Sequence, residues 1–143
     1  MKQTYLVLPL TLLLLGSCSG TEPEDIAKVA YDWEKAYSDN DYEKEQTLIY
    51  EEGSFEIHKN REKNNSGLKY KDIKYEIYQT KEADQYYVLT TFRNPNGENT
   101  VENELLIREK DEEWKIDMDK SMKIDREEIK DKYELETCIH CKD

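Results

Sequence analysis

The chain has 143 residues and a formal net charge of −12, and 38% of its residues are charged. A surface this acidic repels phosphate backbones, so nucleic acid is excluded as an expected partner. Eleven Tyr, two Trp and two Phe argue against a disordered chain, and the length suits a single domain with a modest core.

The N-terminus predicts an export signal followed by a lipidated tether. Residues 6–15 form an apolar run after a short positive start, and two small residues follow it. This run is well short of the roughly 20 residues that a membrane-spanning helix needs. Residues 15–18 read Leu-Gly-Ser-Cys, the order of a bacterial lipobox, in which the cysteine is acylated. We therefore predict a lipoprotein signal peptide over residues 1–17, lipidation at Cys18 and a tether over residues 18–23.

Such an N-terminus predicts a location outside the cytoplasm, with the membrane as the partner of acylated Cys18. In a cell with two membranes, Ser19 permits delivery to the outer membrane, because no Asp retention signal follows the acceptor cysteine. Two alternatives stay open. The leader could be cleaved from a secreted protein before a structural cysteine, or it could stay in the membrane as an anchor.

Two amphipathic helices are predicted after the tether. Apolar residues recur at helical spacing over residues 26–37. Residues 39–41 read Asp-Asn-Asp, which breaks this helix and can cap a second helix over about residues 42–51. The same run lacks the Gly and the distal Glu of a calcium loop, so we interpret it as a helix cap. Residues 55–66 predict a third short helix or a loop.

The hydrophobic period changes from helical to alternating after Gly67, which predicts an antiparallel meander of about four strands. The first strand is expected near residues 73–77. The second, near residues 86–92, is apolar on both faces and is expected at the centre of the sheet. Residues 94–97 read Asn-Pro-Asn-Gly and predict a hairpin turn, and residues 111–113 predict another before the last strand.

Helices followed by strands indicate an α+β domain over residues 24–120, with N-terminal amphipathic helices packed on a curved antiparallel sheet. Residues 121–143 are predicted to be a charged C-terminal tail. Ile129 and Tyr133 are four residues apart, so a thin amphipathic helix or a frayed segment is expected there.

Four stretches of this sequence resemble small bacterial lipoproteins of the nuclear transport factor 2-like (cystatin-like) superfamily. They are the lipobox, residues 24–33, the helix break at residues 40–42 and the closing stretch at residues 113–117. The resemblance covers about residues 22–119, and it implies helices lying across a strongly curved sheet that can enclose a conical pocket. The superfamily contains isomerases and dehydratases as well as binding and assembly modules, so the resemblance implies no particular active site.

Cys138 and Cys141 belong to a Cys-Ile-His-Cys stretch that has four interpretations. In an oxidising exterior the two thiols can close a small disulfide loop, or they can stay free in a mobile tail. A tetrahedral zinc site needs four ligands, whereas the tail offers two thiols and His140. A thioredoxin-like site normally opens a helix after a strand, and no such unit precedes these cysteines. We predict the disulfide, with free thiols as the alternative, and no metal site or cofactor.

Candidate catalytic groups exist, but a structural role is the simpler interpretation of each. His58 is predicted to be a surface histidine, because no second histidine or nucleophile in the domain can partner it, and the alternative is a general base at a pocket mouth. An isomerase-like set of a buried Asp with Tyr hydroxyls would draw on Tyr75, Tyr86, Tyr87, Asp117 and Asp119. Because Asp117 alternates with Ile116 and Met118, it is expected to point outward. We predict no catalytic residue.

Four aromatic residues of the predicted inner face either fill the core or line a ligand pocket, and the core is favoured. They are Trp33, Tyr37, Tyr75 and Trp114. We predict a membrane-anchored, non-enzymatic binding module whose partner is an envelope protein or a small ligand. The alternative is an isomerase-like or dehydratase-like enzyme that acts on a small apolar molecule in the pocket of the sheet.

Overall fold

The computed structural model describes residues 22–142 of the chain. The predicted signal peptide and Cys18 lie outside the described residues. Helices come first and an antiparallel sheet follows, so the predicted α+β class is confirmed. None of the described helices is long and apolar enough to cross a bilayer.

The first helix, α1, runs over Glu22–Ser38 and therefore begins within the predicted tether. Acidic residues occupy its first turn, where they interact favourably with the helix dipole. One face of the helix is buried against the sheet at Ile26, Ala27, Ala30, Trp33 and Ala36. The apolar stripe of the sequence is thus the packed face of α1, as predicted.

The second helix, α2, runs over Tyr42–Leu48. Asp41 caps it, because its Oδ1 accepts a 3.2 Å hydrogen bond from the backbone N–H of Lys44. The interpretation of residues 39–41 as a helix cap is therefore confirmed. The helix ends three residues earlier than predicted, since Ile49 becomes extended and forms a parallel bridge with Ile116.

The segment between α2 and the sheet is mostly loop. Residues 50–69 contain no helix or strand, which decides between the two predicted alternatives for residues 55–66. A single 3-10 turn at Tyr70–Asp72 leads into the first strand.

Within residues 22–142, five antiparallel strands form one open sheet in the order β4-β3-β2-β1-β5. They are β1 Lys74–Gln79, β2 Gln85–Arg93, β3 Thr100–Lys110, β4 Glu113–Ile116 and β5 Leu135–Ile139. As predicted, β2 is the central strand and is buried on both faces. Both predicted hairpin turns are present. Asp111 and Glu112 have φ values of 51° and 66°, which suit a two-residue turn between β3 and β4.

The C-terminal tail packs on the same sheet. A short helix, α3, runs over Met118–Ser121, and the predicted amphipathic helix is present as α4 over Arg126–Lys132. β5 then pairs with β1 and adds a fifth strand, whereas about four were predicted. The sequence gives little signal for β5, because its side chains are exposed or half-buried and its pairing is made by backbone groups.

The two faces of the sheet carry separate apolar clusters. The larger cluster lies between α1 and the sheet and includes Tyr75, Tyr86 and Ile107. The smaller cluster lies on the other face, where Ile129 of α4 packs with Tyr78 and Leu89. The sheet is therefore covered on both sides, by α1 on one and by α4 on the other.

Candidate functional site

Glu34 is a fully buried carboxylate in the middle of α1. Its Oε1 accepts a 2.6 Å hydrogen bond from Thr90 Oγ1, and its Oε2 accepts a 2.8 Å bond from Asn103 Nδ2. Burial raises the pKa of Glu34 to about 7, since the loss of hydration outweighs these hydrogen bonds. Glu34 thereby links α1 to β2 and β3. Sequence reasoning missed it, although Glu34 lies four residues after the buried Ala30 and hence on the packed face.

Glu45 of α2 forms a second buried polar site with His58 of the following loop. His58 Nδ1 lies 2.5 Å from Glu45 Oε1, and the two residues are 3% and 0% exposed. Burial raises the pKa of Glu45, and its Oε2 has no hydrogen-bond partner in the part of the chain that the structure describes. The ring of Tyr37 packs edge-on against the imidazole, with 4.7 Å between ring centroids.

The prediction of a surface histidine at position 58 is therefore wrong. Gln46 of α2 holds the loop against the helix, because its Nε2 donates to Phe55 O at 2.7 Å and its Oε1 accepts from Gly53 N at 2.8 Å. These contacts place the loop against α2, so that its residue His58 is buried in contact with Glu45. A carboxylate on Nδ1 orients an imidazole as in general-base pairs, but this ring is enclosed by aromatic side chains.

The isomerase-like set is not assembled. Tyr75 and Tyr86 are buried on the α1 face, whereas Tyr87 packs against Tyr133 on the opposite face. The hydroxyl of Tyr75 donates to the backbone oxygen of Tyr70 at 3.3 Å, and that of Tyr86 donates to a carboxylate of α1 at 2.8 Å. Burial raises the pKa of both hydroxyls, so these two tyrosines are neutral structural donors.

Asp117 is buried, so the prediction that it points outward is wrong. β4 ends at Ile116, and the strand alternation used in the prediction ends with it. Asp117 instead caps α3 by accepting a 3.1 Å hydrogen bond from Lys120 N, and its Oδ2 lies 2.8 Å from Arg108 Nη1. Asp119 is exposed on α3 and contributes to no buried cluster.

The four aromatic residues of the predicted inner face have different environments. Tyr75 and Trp33 are core residues with 0% and 3% exposure, as predicted. Trp114 is half-buried and packs edge-on against Tyr86, with 5.6 Å between ring centroids. Tyr37 is 41% exposed and lies at the rim of a groove.

This apolar groove has a volume of about 410 Å³ and lies between α1, the first half of β3 and α3. Its apolar lining includes Trp33, Tyr37, Phe55, Leu105, Met118 and Met122. Met122 is 65% exposed, and with Tyr37 it is among the most exposed large hydrophobic residues that the structure describes. Exposed apolar side chains grouped around a concave surface are typical of interaction sites.

An open strand edge runs along the apolar groove. β4 pairs only with the second half of β3, from Ile107 onward. The backbone of Leu106 is still satisfied, because its N–H donates to Ser121 Oγ and its carbonyl accepts from the N–H of Asp117. Because hydrogen-bonding direction alternates along a strand, the backbone N–H and C=O groups of Glu102 and Glu104 point to the same edge of β3 as those of Leu106. No residue among 22–142 pairs with these groups of Glu102 and Glu104.

The structure joins Cys138 and Cys141 as a disulfide at the end of β5, with 5.7 Å between their Cα atoms. His140 between them has a φ of 56°, and its Nδ1 donates to the backbone oxygen of Ile73 at 2.9 Å. Among residues 22–142, no group of three or more His, Cys, Asp or Glu side chains is arranged to hold a metal ion.

Lipidation at Cys18 stays a prediction, because that residue lies outside the described part of the chain. Membership of the nuclear transport factor 2-like superfamily also stays a prediction. No protein-family model, curated protein or solved structure matches this chain.

Proposed function

We propose that this protein is a lipid-anchored, non-enzymatic binding module of a bacterial cell envelope, and that it captures an extended segment of a partner protein in the apolar groove. The observation that carries the binding function is the open edge of β3 beside that groove. An added strand would pair with the backbone of Glu102 and Glu104 while its alternate side chains enter the groove. The acidic chain favours a segment in which Lys or Arg alternates with apolar residues.

The anchor is supported by the lipobox at residues 15–18 and by the position of α1 in the sequence. α1 starts at Glu22, four residues after Cys18, so the connecting chain spans at most about 14 Å. A domain held this close to a bilayer would meet partners at the envelope surface. With Ser19 after the acceptor cysteine, delivery to the outer membrane is permitted in a cell with two membranes.

The second candidate function is an isomerase-like or dehydratase-like enzyme. The observation that favours it is Glu34, since a buried carboxylate with a pKa of about 7 suits general acid–base catalysis. However, both oxygens of Glu34 already accept hydrogen bonds from Thr90 and Asn103. A proton-transfer group needs one of them for its substrate, so binding is the better supported function.

Cells grown with an alkyne fatty acid should label the wild-type protein but not Cys18→Ala, because Cys18 is the proposed acylation site. The measurement is fluorescence of the protein after coupling of the alkyne to a dye. Cys138→Ser with Cys141→Ser is the matched control and should be labelled like the wild type. Labelling of Cys18→Ala at the wild-type level would contradict the anchor.

Glu102→Pro should weaken binding of a peptide of alternating Val and Lys by about tenfold, because proline removes the N–H that the added strand needs. Glu102→Gln is the matched control for the lost charge and should bind nearly as tightly as the wild type. Fluorescence polarisation of the labelled peptide measures both affinities.

A second variant tests the apolar side of the same site. Met122→Ser should also weaken peptide binding, whereas Leu135→Ser, at another exposed apolar residue that lies on β5, should not. Circular dichroism checks that each variant keeps its fold.

Equal peptide affinity of Glu102→Pro and Glu102→Gln would contradict the proposal that the partner segment binds at the open edge of β3.

A further inference from the structure

A second concave site lies at the end of the sheet where β2 and β5 finish. It is a cleft of about 650 Å³ formed by the segment before β1, the turn after β2 and the C-terminal residues. Its cationic side chains are Lys71, Lys74, Arg93 and Lys142, and Asp72 is the single carboxylate that residues 22–142 contribute to its lining. We call it the basic cleft. Such a local excess of positive charge contrasts with the net charge of −12 of the chain.

Most of this positive charge is available to an external ligand. Lys74 pairs with Glu76 at 3.4 Å, but Lys71, Arg93 and Lys142 form no ion pair with an acidic side chain among residues 22–142. The carboxylate of Asp72 is already engaged, because its Oδ2 accepts a 3.1 Å hydrogen bond from the N–H of Lys69. Three cations without an acidic partner among the described residues therefore face one cleft.

The disulfide loop forms one wall of the basic cleft. His140 lines the cleft, its Nδ1 donates to Ile73 O at 2.9 Å, and its ring packs edge-on against Tyr70, with 5.0 Å between centroids. These contacts hold the disulfide loop against the segment that precedes β1. Lys142 follows directly after Cys141 and is thus held beside the other cations.

We propose that the basic cleft binds a free small molecule through a phosphate monoester group, with Lys71, Arg93 and Lys142 as its cationic ligands. The guanidinium of Arg93 can form paired hydrogen bonds with phosphate oxygens, and the lysines supply compact charges. A monoester carries nearly two negative charges at neutral pH, which suits a cleft lined by these three cations better than the single charge of a phosphodiester. Leu68 and Pro95 also line the cleft and offer contacts to an organic group.

Isothermal titration calorimetry of glycerol 3-phosphate into the purified full chain, at physiological ionic strength, tests this site. The wild type should bind, and Lys71→Gln with Arg93→Gln should bind at least about tenfold more weakly, because two charge-assisted hydrogen bonds are lost. Lys81→Gln is the matched control, since Lys81 is exposed and does not line the cleft. It should bind like the wild type.

Glycerophosphoglycerol, the water-soluble phosphodiester of a phospholipid headgroup, distinguishes a free ligand from a lipid. It should bind more weakly than glycerol 3-phosphate, and tighter binding would overturn the assignment to a free monoester. Equal monoester affinity in the wild type and the double variant, or no measurable binding to the wild type, would overturn the site itself. Thermal unfolding checks each fold, and Arg93→Gln alone replaces the double variant if that variant unfolds.

Discussion

Replacement of Glu34 by Gln should stabilise the protein at neutral and alkaline pH by about 3 kcal/mol. The pKa of Glu34 rises from 4.5 to about 7 on folding, and each pKa unit corresponds to about 1.4 kcal/mol. Below pH 4.5 the carboxyl of Glu34 is protonated in both the folded and the unfolded chain, so burying it does not lower the free energy of unfolding. Between pH 4.5 and 7 the unfolded chain loses this proton first, so the stability of the wild type falls as the pH rises.

The amide that Glu34→Gln introduces keeps both hydrogen bonds of the site. Its oxygen can accept from Asn103 Nδ2, and its nitrogen can donate to the Thr90 hydroxyl, which is free to rotate. Urea denaturation at several pH values between 4.5 and 8 should show an advantage of Glu34→Gln that grows with pH. Glu24→Gln, an exposed acid on the same helix, should keep the pH dependence of the wild type. A pH-independent difference would contradict a raised pKa at Glu34.

Truncation of His58 to Ala should destabilise the protein by about 3–5 kcal/mol, because the buried carboxylate of Glu45 then loses its partner. Lys59→Ala is the matched control from the next position. It removes the partner of Glu56 in a half-exposed ion pair of 2.9 Å and should change the free energy of unfolding far less, because solvent screens the pair. The free energies of unfolding from urea denaturation give both values.

A double variant separates the unpaired charge from the lost packing. Glu45→Met with His58→Leu removes both polar groups and should be more stable than His58→Ala alone, since no buried carboxylate is left without a partner. If His58→Ala costs no more than Lys59→Ala, the Glu45–His58 contact does not hold the loop on α2.

The elements with a strong hydrophobic period were predictable from the sequence. α1, β1 and β2 bury side chains at helical or alternating positions, so 3.6-residue or two-residue spacing identifies them. β5 was not predicted, because an edge strand with half-exposed side chains leaves little trace in the hydrophobic pattern. Its position is decided by backbone pairing with β1, which is a long-range contact.

The buried acids were missed for a different reason. The charge of Glu34 and Glu45 favours solvent-facing positions, although each lies four residues from a buried apolar residue, Ala30 or Ile49. Their partners come from distant segments, and no local pattern pairs them. The apolar groove was also beyond sequence reasoning, since it depends on β3 being longer than β4.

α1 and β2 run parallel, so the start of α1 and the turn after β2 lie at opposite ends of the domain. Tyr86 contacts Glu22 at the start of α1, and Asn96 Nδ2 donates to Ser38 O at its end. The helix has 17 residues and is about 25 Å long. With Cys18 anchored as proposed, Arg93 and the other cations would form the distal tip of an upright domain. Solutes would then reach that tip from the aqueous side, at a height beyond the headgroup layer.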